Sequence, residues 1–489
     1  MPRPVIQPTA TVVTFLAFLA VPAAVSAHGV DLPTTCSQDA DAAFDEGLTL
    51  LHNMMYIQAE AAFERAADMD PDCAMAQWGI AMTNFHPLWP GGPTEEEAAR
   101  GTTAAERLAS MTPGNEIESS FADAVAAFYD PGHEGYPARI AAWAKAQDVA
   151  YKRNPDNIDA AALAALGRLA SAPPGAASIE ANAAVGDLLD GLHESAPHHP
   201  GVIHYAIHAY DNPALKDRGV PYAAIYDAAA PEAAHALHMP AHIFTRTGDW
   251  AKSIDLNRRS AEEALKHSDD IIPTDYVHAI DYMVYGYLQI GEPEKAAELV
   301  DQMLAIENHQ VSFGGAYGLA ASPVRLLLEK DMWAEAAALS PIMHSAIPWE
   351  KFPQTVAMRW FAIGLGAARS EGVETARAAI EELKALKMAM EDSGQTYWVS
   401  LTEGQILTIE AWVELSLGNE ELAIELETSA ADLEDEIGKN PVTPGHVLPA
   451  RELLGDMLSE VGQPDKAAEA YRATLAVSPN RHRSLAALN

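Results

Sequence analysis

The sequence predicts an all-α fold, an α-solenoid of helix–turn–helix repeats, and three observations carry that reading. Two histidine pairs recur in register: His204 and His208 are four apart, as are His238 and His242, and His204 to His238 spans the same interval as His208 to His242. A four-residue step projects both rings of a pair from one helix face. The interval between the pairs is that of one two-helix repeat, about 34 residues. Small, aromatic and proline residues recur at hairpin positions near both ends of the chain. No stretch alternates apolar and polar residues for long enough to make a sheet.

Taken in order, residues 1–27 read as a secretory signal peptide, with Arg3 as its positive start, an apolar run from Val12 to Val21, and Val25-Ser26-Ala27 as a small-residue cleavage site. That run is too short to span a membrane, and no later stretch is long enough. The expected mature protein is periplasmic or secreted and forms one continuous repeat domain over residues 28–489. It would begin near His28, whose amine and ring together suit copper. Cys36 and Cys73 are the only cysteines, and in an exported chain two cysteines are most simply one disulfide. Such a bridge would staple the first repeat for ~3 kcal/mol.

The first repeat begins near Ala40, with Gly47, Ala59, Phe63 and Pro71 at its packing positions, and the last begins near Leu448, with Leu454-Gly455, Ala467, Tyr471 and Pro479. A small residue lets two helices approach, the aromatic fills the gap, and proline stops the second helix. Between them, Gly248–Ser253, Gly291–Glu298, Asp331–Ala338 and Gly418–Glu425 each read as the turn and second helix of a weaker copy. Pro87 to Gly114 reads as a connecting loop with a short acidic helix. Asn308 to Gly318, with Gly314, Gly315 and Gly318, reads as a mobile loop. Asn440 to Gly445 leads to His446 and the final repeat.

These positions resemble the tetratricopeptide repeat family over most of Cys36 to Ser478. Pro200 to Ile243 resembles, more specifically, a group of exported bacterial repeat proteins with an HPGxxHYxIH…HMPxHI signature. The residues that match are His199-Pro200-Gly201, His204-Tyr205, Ile207-His208, His238-Met239-Pro240 and His242-Ile243. In the tetratricopeptide family, positions two, five and nine of the first helix line the concave groove. With repeats starting near Pro200, Ala234 and Val277, the resemblance puts His204, His238 and Asp281 at position five. It puts His208, His242 and Tyr285 at position nine, and His235 and His278 at position two.

Eight of the 18 histidines lie between His193 and His242, where an even spread would put about two. The expectation is a metal centre in region 193–290 built from His204, His208, His238 and His242, with Asp211, His235, His278 and Asp281 as further candidates. Imidazoles suit zinc, copper, nickel or iron; added carboxylates shift the preference toward iron or manganese, or toward a two-metal site. Tyr205, Tyr282 and Tyr285 are the nearest proton donors, with aromatic packing as their plainer role. His52 and His86, separated by the same repeat interval, either extend the groove or are hydrogen-bonded structural histidines. The glutamate of a zinc peptidase H-E-x-x-H helix is missing between His204 and His208.

Composition narrows the partners. A formal charge of −38, from 69 acidic and 31 basic residues, repels phosphate backbones and anionic membranes, so nucleic acid is excluded as a natural partner. No glycine-rich phosphate loop or nucleophile-elbow serine motif is present. Two readings stay open: a metal-dependent enzyme acting on a small molecule, and a scaffold that captures a peptide or protein in its groove without chemistry.

Overall fold

Successive described helices of this chain pack against one another, each burying its apolar side on its neighbours. The computed structural model describes residues 29–489 apart from 31, 90, 91, 174–176, 267, 269, 344–346 and 371. The signal-peptide reading and His28 lie outside the described residues. Hairpins follow one another from Gln38–His52 with Tyr56–Met69 to Ala450–Glu460 with Pro464–Val477, closed by the short helix His482–Leu488. Each helix packs on its chain neighbours. Among the described residues there is no strand, only an isolated bridge between Ile272 and His309. The fold is an α-solenoid of tetratricopeptide-like helix–turn–helix repeats.

The packing signature works as its chemistry requires. A Cβ at Gly79 would lie 2.3 Å from the Phe63 ring, and one at Gly47 2.7 Å from it. The Phe63 side chain is therefore held between two glycines, and a larger residue at either would force the ring to move. The last repeat uses the device again with Tyr471 against Gly455, 2.6 Å from a Cβ there. Cys36 and Cys73 are joined in a disulfide, and no described helix is long and apolar enough to cross a membrane.

Three expectations are corrected. Residues 95–109 form a full helix, Glu95–Ala109, started by a Thr94–Glu97 capping box. The glycine-rich stretch read as a mobile loop is the start of helix Phe313–Glu329. There Gly318 lies so close to the Thr274–Gln289 helix that a Cβ would sit 3.0 Å from the Val277 carbonyl oxygen. The glycines serve close packing, not mobility. The third histidine helix also starts earlier than expected, at Thr274 and not near Val277.

The superhelix closes on itself. The first helix packs on Pro200–Tyr210, and the last on Thr274–Gln289. Arg481 donates to Glu452 and Tyr285, and Trp250 Nε1 donates to the Asn480 carbonyl at 3.0 Å. The histidine helices are thereby enclosed from both ends of the chain.

Candidate metal centre

The third histidine helix begins at Thr274, ahead of the expected Val277. Counting from there, His278 takes position five and Tyr282 position nine, in register with the two earlier pairs. Asp281 and Tyr285 leave those positions. Asp281 instead accepts from Arg325 at 3.0 Å, both side chains fully buried. The Tyr285 hydroxyl meets Arg481 at 3.2 Å. Neither joins the histidines.

Two three-histidine groups result: His204, His208 and His235, and His238, His242 and His278. Within each, one nitrogen per ring lies within 4.8 Å of the others. His204 and His208 stand on the continuous helix Pro200–Tyr210 and bring their Nε2 atoms to 3.1 Å. His238 ends one short helix, Ala234–His238, and His242 belongs to the next, Pro240–Thr247. Pro240 has no N–H to carry the ladder through, and across that break the two Nε2 atoms approach to 2.9 Å. The His235 ring lies 5.2 Å from His204 and 6.3 Å from His238, so the groups adjoin.

Neighbouring residues set which nitrogen each ring offers. The Asn257 amide nitrogen donates to the Ser253 carbonyl at 2.8 Å, which turns its oxygen toward His238 Nδ1 at 2.6 Å. His242 Nδ1 donates to the Asp211 carboxylate at 2.8 Å, and His204 Nδ1 donates to the His52 carbonyl at 2.7 Å. All three rings therefore present a bare Nε2 inward. His235 Nε2 and His278 Nδ1 are buried with no hydrogen-bond partner among the described residues. Burial holds His204 and His278 down to about 3, and pushes His208, His235 and His238 well below the usual imidazole range. These are neutral nitrogens with free lone pairs, the state a metal requires.

Asp211 thus orients His242 through its Nδ1 and stands outside the two three-histidine groups. Arg246 Nε holds its other oxygen at 2.8 Å, and the nearby Lys439 and Arg246 cations keep the carboxyl well below its ordinary range despite burial. Tyr282 lies beside the second group, its hydroxyl 3.4 Å from His242 Nδ1. Tyr205 lies further out and donates to His52 Nδ1 at 2.9 Å.

His52 and His86 separate. His52 Nε2 donates to Asp159 at 2.9 Å. His199, whose Nδ1 caps the Val202 N–H, bonds the same Asp159 oxygen at 3.0 Å. This third cluster is hydrogen-bonded throughout, and its tie to the centre is the His52 carbonyl. His86 stacks on Tyr56 with ring centroids 4.4 Å apart and belongs to none of the groups. Asn257, Arg246, Asp159 and Lys439 carry no sequence signal. His199 does, inside the HPG motif.

No family model matches the chain, and no curated protein does. Solved structures give distant likenesses. The tetratricopeptide domain of P58(IPK) aligns over 89% of this chain and 99% of its own at 11% identity, TM-score 0.25. The Cut9–Hcn1 hetero-tetramer of APC/C covers 92% and 89% at 14% identity, TM-score 0.30. A human IFIT1 dimer with m7Gppp-AAAA covers 82% and 91% at 13% identity, TM-score 0.32.

Proposed function

We propose that this chain is an exported helical-repeat protein whose interior holds a histidine-ligated transition-metal centre, and that it acts as a metal-dependent enzyme on a small molecule. The observation that carries the reading is the pair of Nε2 atoms of His238 and His242, 2.9 Å apart. Each has its Nδ1 hydrogen already committed to Asn257 or Asp211. Two lone pairs facing each other at that distance call for a proton or a metal ion between them, and burial of both rings disfavours the added proton. The unpartnered nitrogen of His278 supplies a third donor, and His235 does the same for His204 and His208.

An all-imidazole donor set suits zinc, copper or iron and not calcium or magnesium. Three protein ligands leave a coordination position open, as catalytic rather than structural sites do. When bound, such an ion supplies Lewis-acid or redox chemistry. The protein's own share is to fix three tautomers through Asn257, Asp211 and the His52 carbonyl, to exclude bulk water, and to hold the Tyr282 hydroxyl beside His242. The disulfide supports an oxidising destination, as does the N-terminal sequence. A peptide-capturing scaffold has less support, because the chain's own ends fold against the histidine helices.

Elemental analysis of the purified mature protein tests the reading. About one to two ions per chain are expected for two three-histidine sites, and a His238→Ala/His242→Ala double variant with an unchanged circular dichroism spectrum is expected to lose metal. A wild-type protein that takes up neither zinc, copper nor iron on titration ends the proposal.

A further inference from the structure

One charged side chain beside the histidines has no hydrogen-bond partner among the described residues. Lys439 lies on the stretch between helices Glu420–Ile437 and Ala450–Glu460, directly after Gly438, whose φ of +63° is a left-handed turn that glycine takes freely. The stretch runs across the interior. The Tyr397 hydroxyl donates to the Gly438 carbonyl at 2.9 Å, and Arg325 donates to the His446 carbonyl at 3.0 Å. It carries the Lys439 ammonium, 6% exposed, to 3.5 Å from Asp211 Oδ2.

That carboxylate is already taken. Its Oδ2 accepts from His242 and its Oδ1 from Arg246, which also bonds the Asp211 backbone carbonyl at 3.1 Å. Lys439 Nζ is buried and finds no hydrogen-bond partner among the described residues. His242 and His278 face it from their helices, and His446 from its own stretch, all three neutral through burial. Burial, with Arg246 beside it, pushes Lys439 down to about 7, because the one carboxylate it faces is shared with Arg246 and buried charges are ordinarily paired. An ammonium has three N–H donors and no acceptor. A water satisfies a donor but leaves the excess positive charge, whereas an anion meets both needs.

We propose that Lys439, with Arg246 behind it, is the recognition point for an oxyanion, a carboxylate or phosphate group, on the small molecule that reaches the histidine groups. The site's place in a catalytic cycle rests on the metal reading; anion binding itself does not. The consequence is a substrate class: small organic acids or phosphate esters, anchored by the acid group while the remainder faces the histidines.

Calorimetric titration of acetate and of inorganic phosphate into wild type, Lys439→Met and Lys439→Arg tests this, each protein in metal-free and metal-loaded form. Wild type is expected to bind one of the two anions in both forms, with Lys439→Met weaker by roughly tenfold and Lys439→Arg close to wild type. Acetate as the tighter probe assigns a carboxylate, phosphate as the tighter probe a phosphate ester. Metal content is expected to be equal in all three. Equal binding by wild type and Lys439→Met, or binding of neither anion by wild type, overturns the proposal. A wild type that holds no metal but binds the anion through Lys439 sinks only the metal reading.

Discussion

An imidazole binds a metal through one nitrogen, and the contact made by the other nitrogen decides which. Asn257 does this for His238, and it does so because its own amide is pinned to Ser253. Asn257→Leu keeps the volume of the side chain and removes the acceptor. Its affinity for zinc is expected to fall by about 10–100-fold, with the helical signal unchanged; an unaltered zinc isotherm would show that the tautomer is not set there. The four principal histidines were legible from spacing alone, since i, i+4 is a property of the helix. Asn257 was not, because it reaches His238 from the second helix of the hairpin, where no local pattern marks it.

Among the elements, register decides which residues meet. The helix Thr274–Gln289 begins with Pro273 as its cap residue and Thr274 at its first position. A repeat that began at Val277 would present Asp281 and Tyr285 at the positions that His278 and Tyr282 take. The start is hard to place because the cap residue is Pro273, whose side chain makes no cap hydrogen bond. Gly318 shows the same limit from another side. Clustered glycines signal loops when read locally, yet here the missing Cβ lets helix Phe313–Glu329 press against Val277. The obstructing atoms include a backbone carbonyl, which cannot swing aside. Gly318→Val is therefore expected to destabilise the protein by about 1–3 kcal/mol, read as a lower urea midpoint; a variant as stable as wild type would show that the helices can separate at little cost.

Closure of both ends on the middle gives the whole molecule its buried imidazoles, and with them a pH signature. His278 is pushed from 6.5 down to about 3, first by burial. In the metal-free protein the unfolded chain takes up that proton below about pH 6.5 and the folded chain does not until about pH 3. The unfolded state binds more protons in that window, so this group's contribution falls as pH falls. Raised carboxyl groups such as Glu434, held at about 8 by burial, push the other way, so the clean measurement is a difference. Metal-free His278→Gln is expected to gain on wild type by about 1.4 kcal/mol for each pH unit below 6.5, measured by urea unfolding between pH 6.5 and 4.5. A constant gap across that range would mean His278 is not held neutral.

The sequence by itself determined the all-helical repeat class, the pairing of Cys36 with Cys73, and the histidines that share a helix face. Each of these follows from periodicity or from elimination, which need only near neighbours along the chain. Tertiary structure alone decided that His235 and His278 complete the two groups, that Asp211 orients His242, that Asp281 pairs with Arg325, and that Lys439 enters from a distant part of the chain. Those outcomes depend on how tightly the superhelix winds and where its ends dock, and winding sums small rotations over every hairpin, none of which a local pattern specifies.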